Sequence, residues 1–416
     1  MTAHPSATAD VLVIGGGPGG SAAAALLAQR GHRVIVIERK VFPHADRSGA
    51  LLTPRSLTAL RQFELPQLEQ FHRVRHVRIT SEGRSTSTTW PNHPQYPQYA
   101  AVASRSAFNQ QLIRAAVAEG ATVLAGHDAT DPIVERGFAR GANVTAPDGT
   151  TFEARSEYTI VADGANSRFG RALGTFRRPT WPYALGHRAT YLSPLHDASE
   201  IELVVDLRDR SGTPITGYGW MLPAGDGHVT VGVMMMSTSP SFQVVNPAHL
   251  LARVITDHGA RWHLATEPVA PGSGGRVPLG MSVQPSAGPT YLLIGDAAGA
   301  ANPLSGAGIE AALETGALAA GVVDEALQTG TSAALQQYSQ LLSQHYESFY
   351  KVGRLTTRVL GQPTMSRRIN RLAATRRPAA DAFLRLATGE LRPGRAGIAE
   401  LAYRVGRTIS IVAPDA

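Results

Sequence analysis

ADVLVIGGGPGGSAAAALLAQRGHRVIVIERK, residues 9–40, carries the decision about the fold. Val11 to Ile14 form an apolar run of strand length, and Gly15-x-Gly17-x-x-Gly20 follows without a gap. An alanine-rich stretch of helical length then reaches the Gly31 turn, and a second apolar run, Val34 to Ile37, ends on Glu38. Strand, glycine turn, helix, strand and terminal acid are the parts of a parallel βαβ unit that grips a dinucleotide. Gly15 allows the tight turn, Gly17 lets backbone approach a pyrophosphate, and Gly20 lets the helix pack on the strand. The helix N-terminus holds the pyrophosphate, and Glu38 accepts hydrogen bonds from a ribose. Arg39, beside that acid, joins the candidate binding residues.

A second signal stands far downstream. In LLIGDAAGAANPLSGAGIEAAL, residues 292–313, a short apolar strand ends at Asp296, and mostly small residues precede the next helix. Ligands of parallel α/β sheets bind at such strand ends. Pro303, Gly306 and Gly308 shape the loop while denying it side chains, so a flat, bulky group can lie against backbone. The helix starting near Gly308 and Ile309 aims free N–H groups at that place.

Composition narrows the class. The chain has 416 residues, 43% hydrophobic and 17% charged, which suits a globular protein with a large core. Cysteine is absent, which excludes disulfides, thiolate metal sites and cysteine nucleophiles. The net charge of +7 comes from arginine, since Lys40 and Lys351 are the only lysines among 39 basic residues. No aromatic-interleaved basic stretch or zinc-finger spacing supports nucleic-acid binding. The histidines show no metal-ligand spacing, so no metal is expected. No basic n-region or long apolar run is seen near residue 1, and a cytoplasmic protein is expected.

Further segments bring a family into view. TIVADGANSRFGRALG, residues 159–174, ends a strand on Asp163-Gly164, and in ASRSAFNQQLIRAA, residues 103–116, Arg105 precedes a helix. With the two segments above, they stand in the order found in the glutathione-reductase-like and aromatic-hydroxylase-like flavoproteins. That resemblance implies noncovalent FAD. It places Asp296 at the ribityl chain, Arg105 against the flavin phosphates and ribityl, and the loop after Asp296 at the isoalloxazine.

Two more segments choose a branch. ITGYGWMLPAGDGHVTVGV, residues 215–233, reads as a hairpin with Tyr218, Trp220 and Leu222 on one face. It resembles the Y-x-W-x-F-P motif of the geranylgeranyl reductase family, with Leu222 for Phe. RSGALLTPRSLTAL, residues 47–60, resembles the family's K-x-C-G-G-G-L-T-P-R segment beside the flavin. It departs from it at Asp46, Ser48, Ala50 and Leu51. The resemblance implies hydride transfer from reduced flavin to a carbon–carbon double bond of an apolar, isoprenoid or polyketide-like substrate. NAD(P)H is the expected electron donor. A flavin monooxygenase acting on an aromatic or enolic metabolite is the alternative, and a flavin-bound protein without turnover is a second one. A flavin halogenase needs a lysine by the flavin, and none occurs between residues 41 and 350.

The expected architecture is α/β: a Rossmann-like FAD-binding domain in three pieces (1–72, 100–180 and 276–350), an inserted β-sheet substrate domain (73–99 and 181–275) and a helical segment (351–416). Tyr218, Trp220 and Leu222 are expected to wall the substrate pocket, and His187 is the candidate proton donor. In the helical segment Ile398, Leu401, Val405 and Ile409 form one apolar stripe, and Arg367, Arg368, Arg371, Arg376 and Arg377 crowd the stretch before it. Two readings follow, a helical cover over the second domain or a peripheral membrane contact, and the cover is favoured.

Overall fold

The computed structural model describes residues 7–412 except Ala45, Glu64, Pro66, Gln67, Pro393, Gly394 and Ala396. The opening unit forms as its pattern dictates. Ala7–Ile14 pairs in parallel with Val34–Glu38 on one side and with Thr151–Val161 on the other. Val11, Leu12 and Val13 are wholly buried, because helices cover one face of the sheet and residues of the antiparallel strands, such as Ala139, Ala142 and Val144, cover the other. Thr122–Ala125 extends the sheet beyond Val34–Glu38, and Tyr291–Leu293 lies parallel beside the end of Thr151–Val161. The start of Thr151–Val161 instead pairs antiparallel with Phe138–Thr145, which leads on to Asp128–Glu135.

The helix Pro18–Gln29 has no polar face to speak of, and Gly19 through Ala28 are all buried. It is enclosed by the sheet, by helix Arg105–Ala118 and by helix Ile309–Thr329. Small residues make this crowding possible: a Cβ on Gly316 would stand 2.6 Å from the Gly19 carbonyl oxygen. Any larger side chain there would push two helices apart.

The second sheet has seven strands, in the order Ser273–Pro278, Tyr183–Leu192, His228–Met236, Gly217–Pro223, Glu200–Val204, His76–Ser81 and Arg84–Thr89. Ser273–Pro278 belongs here, so this sheet runs past the boundary expected at residue 275 and hands over after Pro278. Helix Pro247–His258 packs Leu250, Leu251 and Val254 against one face. Helices Pro363–Thr375 and Arg377–Thr388 lie against His76–Ser81 and Arg84–Thr89, with Ala373, Ala374, Ala380 and Leu384 packed inward. The C-terminal helices thus do cover this domain. The stripe on the last helix, Ile398–Val412, does not take part: Ile398, Leu401, Val405 and Ile409 are 61, 58, 53 and 49% exposed.

Glu202 is the sheet's one deeply placed acid with a full set of partners. It accepts from the Thr80 hydroxyl (2.6 Å) and the Trp262 indole N–H (2.7 Å), and His258 and Arg261 stand at 3.6 and 3.5 Å. Burial alone would raise its pKa, but these partners outweigh it and hold the carboxyl down at about 2.

Candidate active site

A cavity of about 1030 Å³ runs from the opening glycine motif to the second sheet and on to helix Arg377–Thr388. This is at the top of the usual range for small-molecule and cofactor pockets, roughly 300–1,000 Å³, so it has room for more than one ligand.

At its first end the backbone is bare. Gly15 takes φ +106°, and a Cβ there would lie 2.4 Å from the Ala162 carbonyl oxygen. A Cβ on Gly20 would lie 1.9 Å from the Gly15 oxygen, whereas one on Gly17 would point into open space on the cavity wall. Gly17 caps helix Pro18–Gln29 without a side chain, leaving its first N–H groups for a ligand. Glu38 sits at the end of its strand, accepting from Gly16 N–H and Lys40 N–H at 2.8 Å each. Neither Glu38 nor its exposed neighbour Arg39 lines the cavity, whereas Lys40 does.

The middle of the cavity is charged. Arg105 and Asp296 both line it. The buried Arg105 Nε has no protein partner, and burial, with Arg188 adding to it, lowers the guanidinium's pKa. Burial raises the Asp296 carboxyl, with Arg105 opposing. Ser48 donates through its backbone N–H (3.0 Å) and its hydroxyl (2.5 Å) to Asp46 Oδ1, while Asp46 Oδ2 accepts from Arg188 at 2.7 Å. This clamp ties the segment before Thr53 to the second sheet. Asp163 is turned inward, accepting from Phe169 N–H at 2.9 Å, and its neighbours Ala162, Gly164 and Ala165 form the wall. Pro303 is buried beneath Gly353 and accepts from the Thr357 hydroxyl at 2.7 Å, so it props the loop from behind. Gly306, Gly308 and Ile309 line the cavity, and Gly308 caps helix Ile309–Thr329 without a side chain.

The far end is apolar. Tyr218, Trp220 and Leu222 share one wall, with Ile201, Leu203 and Met234 around them. The Trp220 ring lies across its cross-strand partner Gly232, where a Cβ would stand 2.2 Å from the ring. Tyr218 donates to the Ser305 carbonyl oxygen (2.5 Å), and burial pushes its phenol well above the usual range. His187 is on the wall, its ring over Gly272 and Gly274. Sequence reasoning missed the opposite wall, Phe383, Leu384, Ala387 and Thr388, and also Trp90 and the buried acid Glu310. The spacing of Phe383, Leu384 and Ala387 marks one helix face, but nothing local says which cavity that face meets.

The cradle fits a dinucleotide with a flat ring system. It offers two helix N-termini without side-chain caps, a bare Gly17 at one of them and a buried Arg105 Nε with no protein partner. Residues 8–193 match the family model described as an FAD binding domain. The chain is 34% identical over 363 residues to the menaquinone reductase of Mycolicibacterium smegmatis, covering 85% of each chain. The chain belongs to the geranylgeranyl reductase family of FAD-dependent oxidoreductases. A digeranylgeranylglycerophospholipid reductase of Methanosphaerula palustris is 28% identical, with 80% of each chain covered. The fold is that of a geranylgeranyl bacteriochlorophyll reductase-like protein from Thermoplasma acidophilum (TM-score 0.77, 23% identity, 89% of this chain and 93% of that one). FAD is therefore the cofactor of this family member, and the residues of the cradle fit it. Among the described residues no group of three or more His, Cys, Asp or Glu is placed to hold a metal, and no helix is long and apolar enough to cross a membrane.

Proposed function

We propose that this family member reduces a carbon–carbon double bond in the isoprenoid chain of a lipid, with NAD(P)H feeding the flavin. One observation carries the reading: the polar cradle and the apolar chamber are a single continuous cavity, so an apolar chain can lie directly against the flavin site. The names of the relatives, a menaquinone reductase and a digeranylgeranylglycerophospholipid reductase, supply the substrate class.

Bound FAD supplies the hydride once it is reduced, and the protein supplies position and electrostatics. Arg105 and the two helix N-termini hold and orient the anionic groups. The N–H groups around Gly308 and Ile309 favour negative charge at the edge they face. Tyr218, Trp220, Leu222 and Phe383 exclude water and align an extended alkene by shape alone. Substrate drawn from a bilayer needs a docking face, and the exposed stripe of Ile398–Val412 serves as one. It is aided by Met365, Ile369 and Leu372, which are also exposed, and by the exposed arginines 367, 368, 371, 376 and 377 toward anionic headgroups.

The test is anaerobic. The flavin is reduced, menaquinone or a prenyl lipid is added, and flavin reoxidation and product mass are followed. Reoxidation with a product that is still heavier by two hydrogens after any hydroquinone has been reoxidised to quinone supports the proposal. A flavin that stays reduced until air enters, with a product that gains one oxygen atom, overturns it in favour of a monooxygenase.

A further inference from the structure

Adding two hydrogens across a double bond needs a proton as well as a hydride, and most ionisable groups on the cavity wall are poorly placed to give one. Asp46 is ion-paired to Arg188, Asp296 faces Arg105, Tyr218 is committed to the Ser305 carbonyl, and Lys40 lies at the opening motif, while His187, the donor expected from sequence, packs its ring over Gly272 and Gly274. Glu310 differs. It sits in the first turn of helix Ile309–Thr329, borders the cavity close to Tyr218, and is only 4% exposed. Its Oε2 accepts from the Ser56 hydroxyl at 3.2 Å. Near it lies a second acid, Glu390, fully enclosed, with Thr388 as a polar side-chain neighbour.

The cations around this pair are already engaged. Arg55 makes two hydrogen bonds to Glu314, at 2.6 and 2.7 Å, and Glu314 also accepts from the Tyr346 hydroxyl at 2.6 Å. Arg385 bonds Asp381 at 2.8 Å and the Asn92 carbonyl at 3.3 Å. Tyr96 and Tyr350 complete the titratable surroundings and bring no positive charge. A buried carboxyl whose neighbouring cations are engaged elsewhere is held toward its neutral form.

We infer that Glu310 is the proton donor of the cavity. The inference rests on the proposed double-bond reduction. In that step the alkene π bond breaks and two C–H bonds form: hydride comes from the reduced flavin, which is oxidised, and the proton leaves Glu310 as a carboxylate. Solvent then returns the proton. Burial raises the Glu310 carboxyl, with Glu314 adding to it and Arg55 and the Ser56 hydroxyl opposing, in line with this role.

Infrared spectroscopy of the substrate-free, FAD-loaded protein near neutral pH tests it without turnover. The carbonyl stretch of a protonated carboxylic acid should be present, lose intensity in Glu310→Gln, and shift in D2O. With a substrate reduced by the wild type, Glu310→Gln should slow product formation by about 10²–10⁴-fold, the usual contribution of a general acid. Glu310→Asp should recover part of the rate, and flavin reduction by NAD(P)H should be unchanged. An unchanged acid band in Glu310→Gln overturns the inference even if no substrate is found. So does a wild-type rate in that variant, while the double-bond reading itself stands or falls on the wild-type product.

Discussion

Glu390→Gln should make the protein less sensitive to alkali, and the structure sets the size of the effect. Burial, reinforced by Glu310, pushes the Glu390 carboxyl up to about 8 from 4.5. A group whose pKa rises on folding keeps its proton in the native state over the interval where the unfolded chain has lost it. Its contribution to stability is therefore complete below about 4.5 and is lost as pH climbs toward about 8. At 1.36 kcal/mol per pKa unit, the whole interval is worth at most about 5 kcal/mol. Glutamine keeps the shape of the neutral acid and never ionises, so the variant escapes that loss. The assay is urea unfolding of wild type and variant near pH 5 and again above pH 8, compared as a difference so that other titrating groups cancel. The wild type should lose more stability than the variant, by an amount on the order of a few kcal/mol. Curves that fall in parallel would show that Glu390 titrates alike in both states, and the reasoning about the buried acid pair would fail.

Glu38→Ala should weaken FAD retention about ten- to hundredfold, because a hydrogen bond to a charged acceptor is worth roughly 1.5–3 kcal/mol; equilibrium dialysis against free FAD checks it. Glu202→Gln should destabilise the second sheet by about 3 kcal/mol at neutral pH, the usual cost of breaking a buried pair. Since folding lowers this acid to about 2, the penalty should shrink as pH falls from 4.5 toward that value, which unfolding midpoints measured in acid would reveal. Gly306→Ala places a Cβ 2.1 Å from Met234 Sδ at a backbone φ of +67°, so FAD release should quicken, and Met234→Ala in the same chain should restore part of the loss. Leu401→Ser combined with Val405→Ser should abolish flotation with anionic vesicles and leave unfolding midpoints unchanged; flotation equal to wild type would remove the stripe from the docking face.

The cofactor end was legible because its requirements are local. Gly15, Gly17 and Gly20 answer to backbone geometry within one turn, and the strand–helix–strand pattern around them needs no distant partner. The hairpin of Tyr218, Trp220 and Leu222 was readable for the same reason, since strand alternation alone puts the three on one face. The other wall was hidden. Leu384 and Phe383 look like any amphipathic helix, and only the packing of that helix on Arg84–Thr89 brings them to the cavity. Glu310 and Glu390 were hidden for a different reason: a lone glutamate in sequence reads as a surface residue, and burial of an acid is decided by tertiary contacts. The stripe from Ile398 to Ile409 was visible, yet its period cannot say whether it faces protein or solvent.

One helix, Arg377–Thr388, has a consequence for how such enzymes diversify. The glycine cradle is built from the first part of the chain and the loop before Ile309, whereas a full wall of the apolar chamber comes from a helix near its other end. Cofactor grip and substrate preference are therefore encoded in separable stretches of gene. Recombination beyond residue 376 can reshape the lipid chamber while the flavin machinery is inherited untouched. A chimera that carries a relative's helix in place of 377–388 should keep its yellow colour and change its choice of lipid.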